Sequence, residues 1–256
     1  MNILAPDSSR LILWTVWFSV LLLVPIQLQA QFEGTIQFRA VEMETSADQE
    51  RSYIFSAAPD RIYLESDRTH RFYGGLDVTR FLVREDRNDV TFMNEDREAL
   101  QITKEETQTL GRMIRQVRGN GSGSEFDWEN RAEVTGRTRT VEGYELEEIR
   151  VWSEDRESAV SVWLTDRIRI SWGLLEEVWN ESLSAMIHAE LPIELFMNRN
   201  SFPLYIEYFD NDVRTAVVEA VDVSEATPDR RRLEVPSDMT MLRPADVMMR
   251  MMRGRR

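Results

Sequence analysis

His70 and His188 are the only imidazoles in a 256-residue chain that has no cysteine. Imidazole and thiolate are the commonest transition-metal ligands and the usual activators of a nucleophile, so their scarcity narrows the chemistry at once. His70 lies in "DRTHRFY" and His188 in a helix-patterned stretch, neither at metal-ligand spacing, and both read as solvated or helix-surface residues. No G-x-S-x-G is present to form a nucleophile elbow. Carboxylate pairs of the kind that split glycosidic bonds can be drawn from Glu147 with Glu148, Glu176 with Glu177, and Asp210 with Asp212. In a chain with 45 acidic residues such neighbours arise by chance. "FDNDV" (209–213) lacks the glycine and distal glutamate of a calcium loop and reads as a turn between strands. No catalytic residue, metal ligand or cofactor is therefore assigned, and the expectation is a non-enzymatic protein.

The elements around these residues have to be built without cross-links, because the absence of cysteine removes disulfides and the lipid-modified cysteine of a bacterial lipoprotein. The formal charge of −14 excludes nucleic acid as a partner, since phosphate binding draws its affinity from clustered cations. Lys104 is the single lysine, so almost all positive charge is guanidinium. The first thirty residues read as an export signal. Arg10 precedes the uncharged run "LILWTVWFSVLLLVPI", and "QLQA" ends at Ala30. That run is shorter than the roughly 20 apolar residues that span a bilayer comfortably. The expectation is a cleaved signal peptide over 1–30, a mature chain from Gln31, and a place in the periplasm or cell envelope. Residues 31–241 are read as one β-rich domain.

From Phe32 onward, apolar and polar residues alternate with period two, as in strands that bury one face. "FEGTIQFRA" places Phe32, Ile36 and Phe38 on one side. "RSYIFSA", "RIYLES", "TRFLVRE" and "DVTFMNE" follow at short intervals, which favours antiparallel pairing over parallel crossovers. The pattern turns helical at "TKEETQTLGRMIRQVRG", where Thr103 and Glu106 form a capping box and Leu110, Met113, Ile114 and Val117 line one face. Gly119 ends this helix, and 119–125 reads as a flexible loop. Beyond it, "RAEVTGRTRTV" precedes "GYELEEIRVW" and "SAVSVWLTD", a hairpin closed by "SEDRE". Tyr144 and Leu146 share one face while Ile149 and Val151 share the other, so either both sides are covered or a bulge shifts the phase near Glu147 and Glu148. A second helix is expected from "SWGLLEEVW" through Leu183 and Ile187 to Pro192. Two or three further strands are expected in "FPLYIEYFDND", "VRTAVVEAVDVSE" and "RRRLEVPSD".

Two features admit a binding role. The stripe Leu110, Met113, Ile114 and Val117 reads first as core packing, worth about 1.5–3 kcal/mol for each fully buried side chain, and second as the cover of an apolar cavity. Trp152 and Trp163 divide the same way, as wall-filling aromatics or as ligand-facing ones. The tail, 242–256, sets Arg250, Arg253, Arg255 and Arg256 beside methionines against the acidic trend of the chain; it reads first as a frayed terminus and second as a peripheral contact for anionic lipid at a membrane or for an acidic partner.

The order of these features resembles the DUF4412 family of exported bacterial proteins and, more distantly, the lipoprotein carriers LolA and LolB. The resemblance rests on "FEGTIQF" after the export signal, "GYELEEIRVW" with "SVWLTD", and "RRLEVPSDM". It implies an α+β fold: a strongly curved antiparallel sheet, a half-open barrel, with helices packed on the concave face. It also implies a lipid or the acyl chain of a lipoprotein as ligand, with Leu110, Met113, Ile114, Val117, Trp152 and Trp163 as the candidate lining. No catalytic motif transfers. The alternative is an envelope scaffold or interaction protein with a filled core.

Overall fold

The computed structural model describes residues 31–43, 49–71, 77–107, 109, 131–178, 197, 199–246 and 249. Twelve strands make one open sheet: β1 (Gly34–Glu42), β2 (Gln49–Ala58), β3 (Arg61–Arg71), β4 (Asp77–Arg84), β5 (Asp89–Met93), β6 (Glu98–Thr103), β7 (Ala132–Val141), β8 (Tyr144–Trp152), β9 (Ser158–Thr165), β10 (Phe202–Asp210), β11 (Val213–Ser224) and β12 (Thr240–Leu242). Their order is β12-β6-β5-β4-β3-β2-β1-β11-β10-β9-β8-β7. All neighbours are antiparallel except β12, which lies parallel to β6. The two halves of the chain meet where β1 pairs with β11, joining the start of the described chain to its far end.

The alternation read from sequence accounts for most of this. Ile36 is fully buried and Phe38 packs on the core, with Gln37 exposed between them. The 153–157 segment closes the β8–β9 hairpin, with Ser153 N donating to Ser158 O at 2.9 Å. Asn211 and Asp212 both take positive φ, 47° and 62°, and join β10 to β11 as a two-residue turn; "FDNDV" is a strand turn as expected. The capping box is present too: Thr103 N donates to Glu106 Oε2 (2.9 Å) and Glu106 N to Thr103 Oγ1 (3.3 Å), opening a helical turn at 104–107.

Two expectations are corrected, and one strand is added. The fold is mostly β, one large sheet that does not close, and not an α+β arrangement with helices packed on a concave face. Of the second expected helix, the described part is α1 (Gly173–Val178). β6 was not expected, because Ala99, Leu100 and Ile102 are all buried and erase the period-two signal. "RRRLEV" is no strand: Arg230–Leu233 form a 3-10 turn, capped where the Asp229 side chain accepts from Arg231 N, and the strand lies later, at Thr240–Leu242. The turn drops Leu233 against Tyr63, Leu82, Met93 and Ala99, a small apolar cluster on one face of β3–β6.

That face also carries an ionic network. Arg61 and Arg84 are register partners on β3 and β4, both 3% exposed. Arg84 holds Asp89 with two parallel bonds of 2.7 Å, and Gln101 donates to the same carboxylate at 2.6 Å. Arg61 donates to Leu233 O (3.1 Å), to Asp86 (2.9 Å) and to Glu234 (3.1 Å), fastening the 230–234 segment to the sheet. Each buried guanidinium has a carboxylate partner, the condition under which such charges are tolerated.

The main apolar cluster is roofed on the opposite face by residues 166–172, which leave the end of β9 and cross toward β4. Phe32 N donates to Arg169 O at 2.7 Å, and Ser171 Oγ reaches Glu85 Oε1 at 3.4 Å. Six strand spacings separate β9 from β4, about 29 Å at ~4.8 Å each, and the eight residues from Thr165 to Gly173 span about 27 Å when extended. A link of this length that bends at 166–168 reaches β4 because the sheet is curved, which brings its strands nearer than they lie on a flat sheet. The side chains of the link alternate, with Ile168, Ile170 and Trp172 buried and Arg169 and Ser171 half-buried between them. We call it the strap.

Candidate functional site

Two places on the described residues hold unusual chemistry. The first is apolar and lies under the strap. Trp172 stacks on Phe202, with ring centroids 6.0 Å apart and planes 11° from parallel. Phe202 also meets Phe55 at 4.9 Å and Phe38 at 6.3 Å. β10 pairs with β9 from Phe202 but with β11 only from Tyr205, and its register is irregular between Pro203 and Tyr205. The start of β10 is thus released from β11 and swings over β1 and β2.

The second is polar and lies on the opposite face of β7–β10. Register aligns Glu148 on β8, Trp163 on β9 and Tyr205 on β10 in one row. Edge strand β7 is irregular between Val134 and Thr138, where three residues, Thr135 to Arg137, stand opposite Glu148 alone. Gly136 takes φ +71° there, which only a glycine adopts without strain, and its Cβ position faces open space. The bulge folds two side chains onto the Glu148 carboxylate, 1% exposed: Thr135 Oγ1 donates at 2.6 Å and Arg137 Nε lies 3.4 Å away. Glu148 is a buried carboxylate with both a hydroxyl and a cation in place.

Arg139, two residues beyond the bulge, lies over the Trp163 ring at 4.6 Å and over the Tyr205 ring at 3.7 Å. It makes no ion pair among the described residues, and its Nη1 is buried without a hydrogen-bond partner. Trp163 Nε1 and Ser161 Oγ are buried without partners as well. Ser161 stands two residues from Trp163 on the same strand and therefore on the same face. In the next row Arg150 lies over Phe209 (4.8 Å) and Trp152 (5.7 Å) and reaches Asp212 at 3.4 Å. Aliphatic stems and guanidiniums thus cover a run of aromatic rings.

Of the sequence-predicted residues, Trp152 and Trp163 do fall on neighbouring strands and on one face, Trp163 buried and Trp152 half-buried. Leu110, Met113, Ile114 and Val117 lie outside the described residues, as do the 1–30 segment, the 119–125 loop, His188 and most of the tail. Glu147 and Glu148 point to opposite faces, one exposed and one buried, and do not form an acid pair. The phase change in β8 is therefore the first of its two readings: both sides are covered, with the irregularity in β7 instead. His70 has its ring 5.9 Å from Tyr53 and its Nε2 3.1 Å from Ser66 Oγ; desolvation, aided by Arg51, lowers its pKa. Among the described residues no three His, Cys, Asp or Glu side chains group as a metal site, and no helix is long and apolar enough to cross a membrane. Arg139 and Ser161 were not singled out from sequence; a glycine within a strand pattern, Gly136, was the available signal of a bulge.

No family model matches the chain, so the DUF4412 resemblance has no such match behind it. No curated protein is similar to it. Solved structures with a similar outline include PNGF-II, at 12% identity and TM-score 0.44 over 87% of this chain and 33% of that one. They also include an uncharacterised conserved protein from Thermus thermophilus, at 7% identity and TM-score 0.43 over 88% and 99% of the two chains. A third is a LolA superfamily protein from Nitrosomonas europaea, at 10% identity and TM-score 0.28 over 81% and 91%. The chain spans about a third of the length of the PNGF-II structures it matches. These likenesses concern the coarse outline of the fold and extend to no residue of either site.

Proposed function

We propose that this chain is a non-enzymatic binding protein of the cell envelope that takes an apolar ligand, a lipid or a lipoprotein acyl chain, beneath the strap. The observation that carries the reading is how the strap is held. Residues 166–172 run over the apolar cluster outside the hydrogen-bonded ladder, fastened by Phe32 N to Arg169 O and by the burial of Ile168, Ile170 and Trp172. A cover held chiefly by non-directional packing can exchange its own apolar contacts for hydrocarbon at little net cost. The Trp172–Phe202 stack is the contact an acyl chain would replace. The export signal read in the first thirty residues agrees with an envelope location.

Titration of the full chain with a fluorescent fatty acid tests this. Saturable binding is expected, with quenching of tryptophan emission and a marked loss of affinity in Ile170→Asp that is confirmed folded by circular dichroism. Absence of saturable binding by folded protein, together with native mass spectra free of lipid after mild purification, would overturn it. The 4.9 Å contact between Phe55 and Phe202 favours a second reading, an envelope scaffold with a filled core, and that negative result would favour it.

A further inference from the structure

We propose that the face around Arg139 is a binding site for an anionic oxygen group, a carboxylate or a phosphate, separate from the apolar site under the strap. Two donors meet there without acceptors, Arg139 Nη1 and the Trp163 Nε1 of the ring beneath it, both buried; Ser161 Oγ, one row further along β9 and level with Arg150, is also buried without a partner. Trp163 is 5% exposed and Ser161 wholly buried, so bulk solvent does not reach them. A buried donor left unpaired is costly, and a guanidinium without a counter-charge more so.

The neighbouring carboxylates are committed elsewhere. Glu148 is held by Thr135 and Arg137, Glu207 by Arg214, and Glu219 by Arg39. Among the described residues, Arg139 is therefore the cation of this face that lacks an oxygen partner. The rings of Trp163 and Tyr205 lie beneath the guanidinium and leave its in-plane edge, the edge that matches a carboxylate or phosphate, as its hydrogen-bonding side. The Gly136 bulge sets Arg139 in this position, because it absorbs the extra residues of β7 before pairing with β8 resumes at Thr138. Arg139 remains half-buried, so the ligand reaches it from solvent. A small anion, the head group of a soluble phospholipid or a carboxylate terminus offers the same oxygen geometry.

Isothermal titration of the full chain with acetate, inorganic phosphate and a short-chain phosphatidic acid below its micelle concentration separates these sources. The expected result is saturable binding of at least one probe and a shift of a single indole N–H resonance, assigned through Trp163→Phe. Arg139→Gln should weaken that binding at least tenfold, while fatty-acid binding at the strap stays unchanged. Preference for phosphatidic acid over phosphate would identify a head-group site; equal binding would identify a site for the free anion. If Arg139→Gln fails to fold, Trp163→Phe serves instead and should weaken binding by removing the indole donor while leaving the charge in place. The proposal is overturned if no probe binds saturably, or if binding is unchanged in the folded variant. It is overturned equally if the Trp163 N–H is already hydrogen-bonded to a buried water that no probe displaces.

Discussion

Phe55 and Phe202 stand three strands apart in the sheet, yet their ring centroids are 4.9 Å from one another. On a flat sheet their backbones would be separated by about 14 Å, too far for two phenyl groups standing upright to touch. The contact exists because β10 separates from β11 before Tyr205 and because the strap presses Trp172 onto Phe202 from above. Phe202→Ala should thus remove contacts to three rings at once. The expected loss is about 3–5 kcal/mol in urea unfolding, together with loss of the near-ultraviolet signal of Trp172. A loss below about 1 kcal/mol would show that the four rings do not form one packed unit.

The buried pair Arg84–Asp89 makes an opposite kind of prediction. Asp89→Ala leaves the Arg84 guanidinium, 3% exposed, without its bidentate partner and with only the longer 3.8 Å approach of Glu234, and should cost about 3 kcal/mol. Replacing both residues by apolar ones of similar size removes the stranded charge and should recover most of that loss. Equilibrium unfolding of the single and double variants decides between a pair that holds the fold together and one that is merely satisfied within it.

Much of the sheet was legible because its strands bury one face. Ile36 with Phe38, the turn at Asn211 and Asp212, and the capping box at Thr103 all follow from local pattern and are local in structure. What was not legible depends on which strands become neighbours. β6 is buried on both sides and gives no alternation, and Leu233 belongs to a 3-10 turn because Tyr63 and Leu82, far away in the chain, offer it a place. The polar site fails for the same reason. Arg139, Trp163 and Tyr205 are spread over 66 residues and three strands, and no spacing rule connects them. Nor does periodicity reveal that a strand-like run such as 166–172 will cross the sheet as a strap.

Alkaline titration should single out two tyrosines, Tyr63 and Tyr144. Burial, reinforced by the nearby Glu65, raises the Tyr63 phenol to about 12. Burial and the 2.7 Å bond to Glu225 raise Tyr144 to about 12. Both folded values lie above the unfolded value near 10, so the unfolded chain gives up these protons first. The stability they contribute is complete below about pH 10 and is lost as pH climbs through 12. Absorbance at the phenolate band should therefore show two late groups that ionise together with unfolding. Tyr144→Phe should remove one of them and soften the alkaline loss.

Gly34 and Gly173 offer the last comparison, since both are crowded but by different kinds of neighbour. A Cβ on Gly34 would lie 2.2 Å from the carbonyl oxygen of Ser224 and 2.5 Å from the Phe32 ring, at the end of the β1–β11 seam beside its first pair, Thr35 with Ser224. The carbonyl is backbone at the end pair of that ladder and cannot retreat without loosening the pair. A Cβ on Gly173 would lie 1.7 Å from Glu85 Oε1, the free end of a side chain that can rotate away. The cost at Gly173 is then mainly its φ of +33°, of order 1–3 kcal/mol for a residue other than glycine. Gly34→Ala should lower the melting temperature by more than Gly173→Ala. Gly173→Ala has a second effect that Gly34→Ala lacks, because a displaced Glu85 gives up its contact with Ser171 and loosens the end of the strap. If the strap covers a ligand site, fatty-acid dissociation from Gly173→Ala should be faster at matched stability. Equal dissociation rates in the two variants would mean that this end of the strap does not control access.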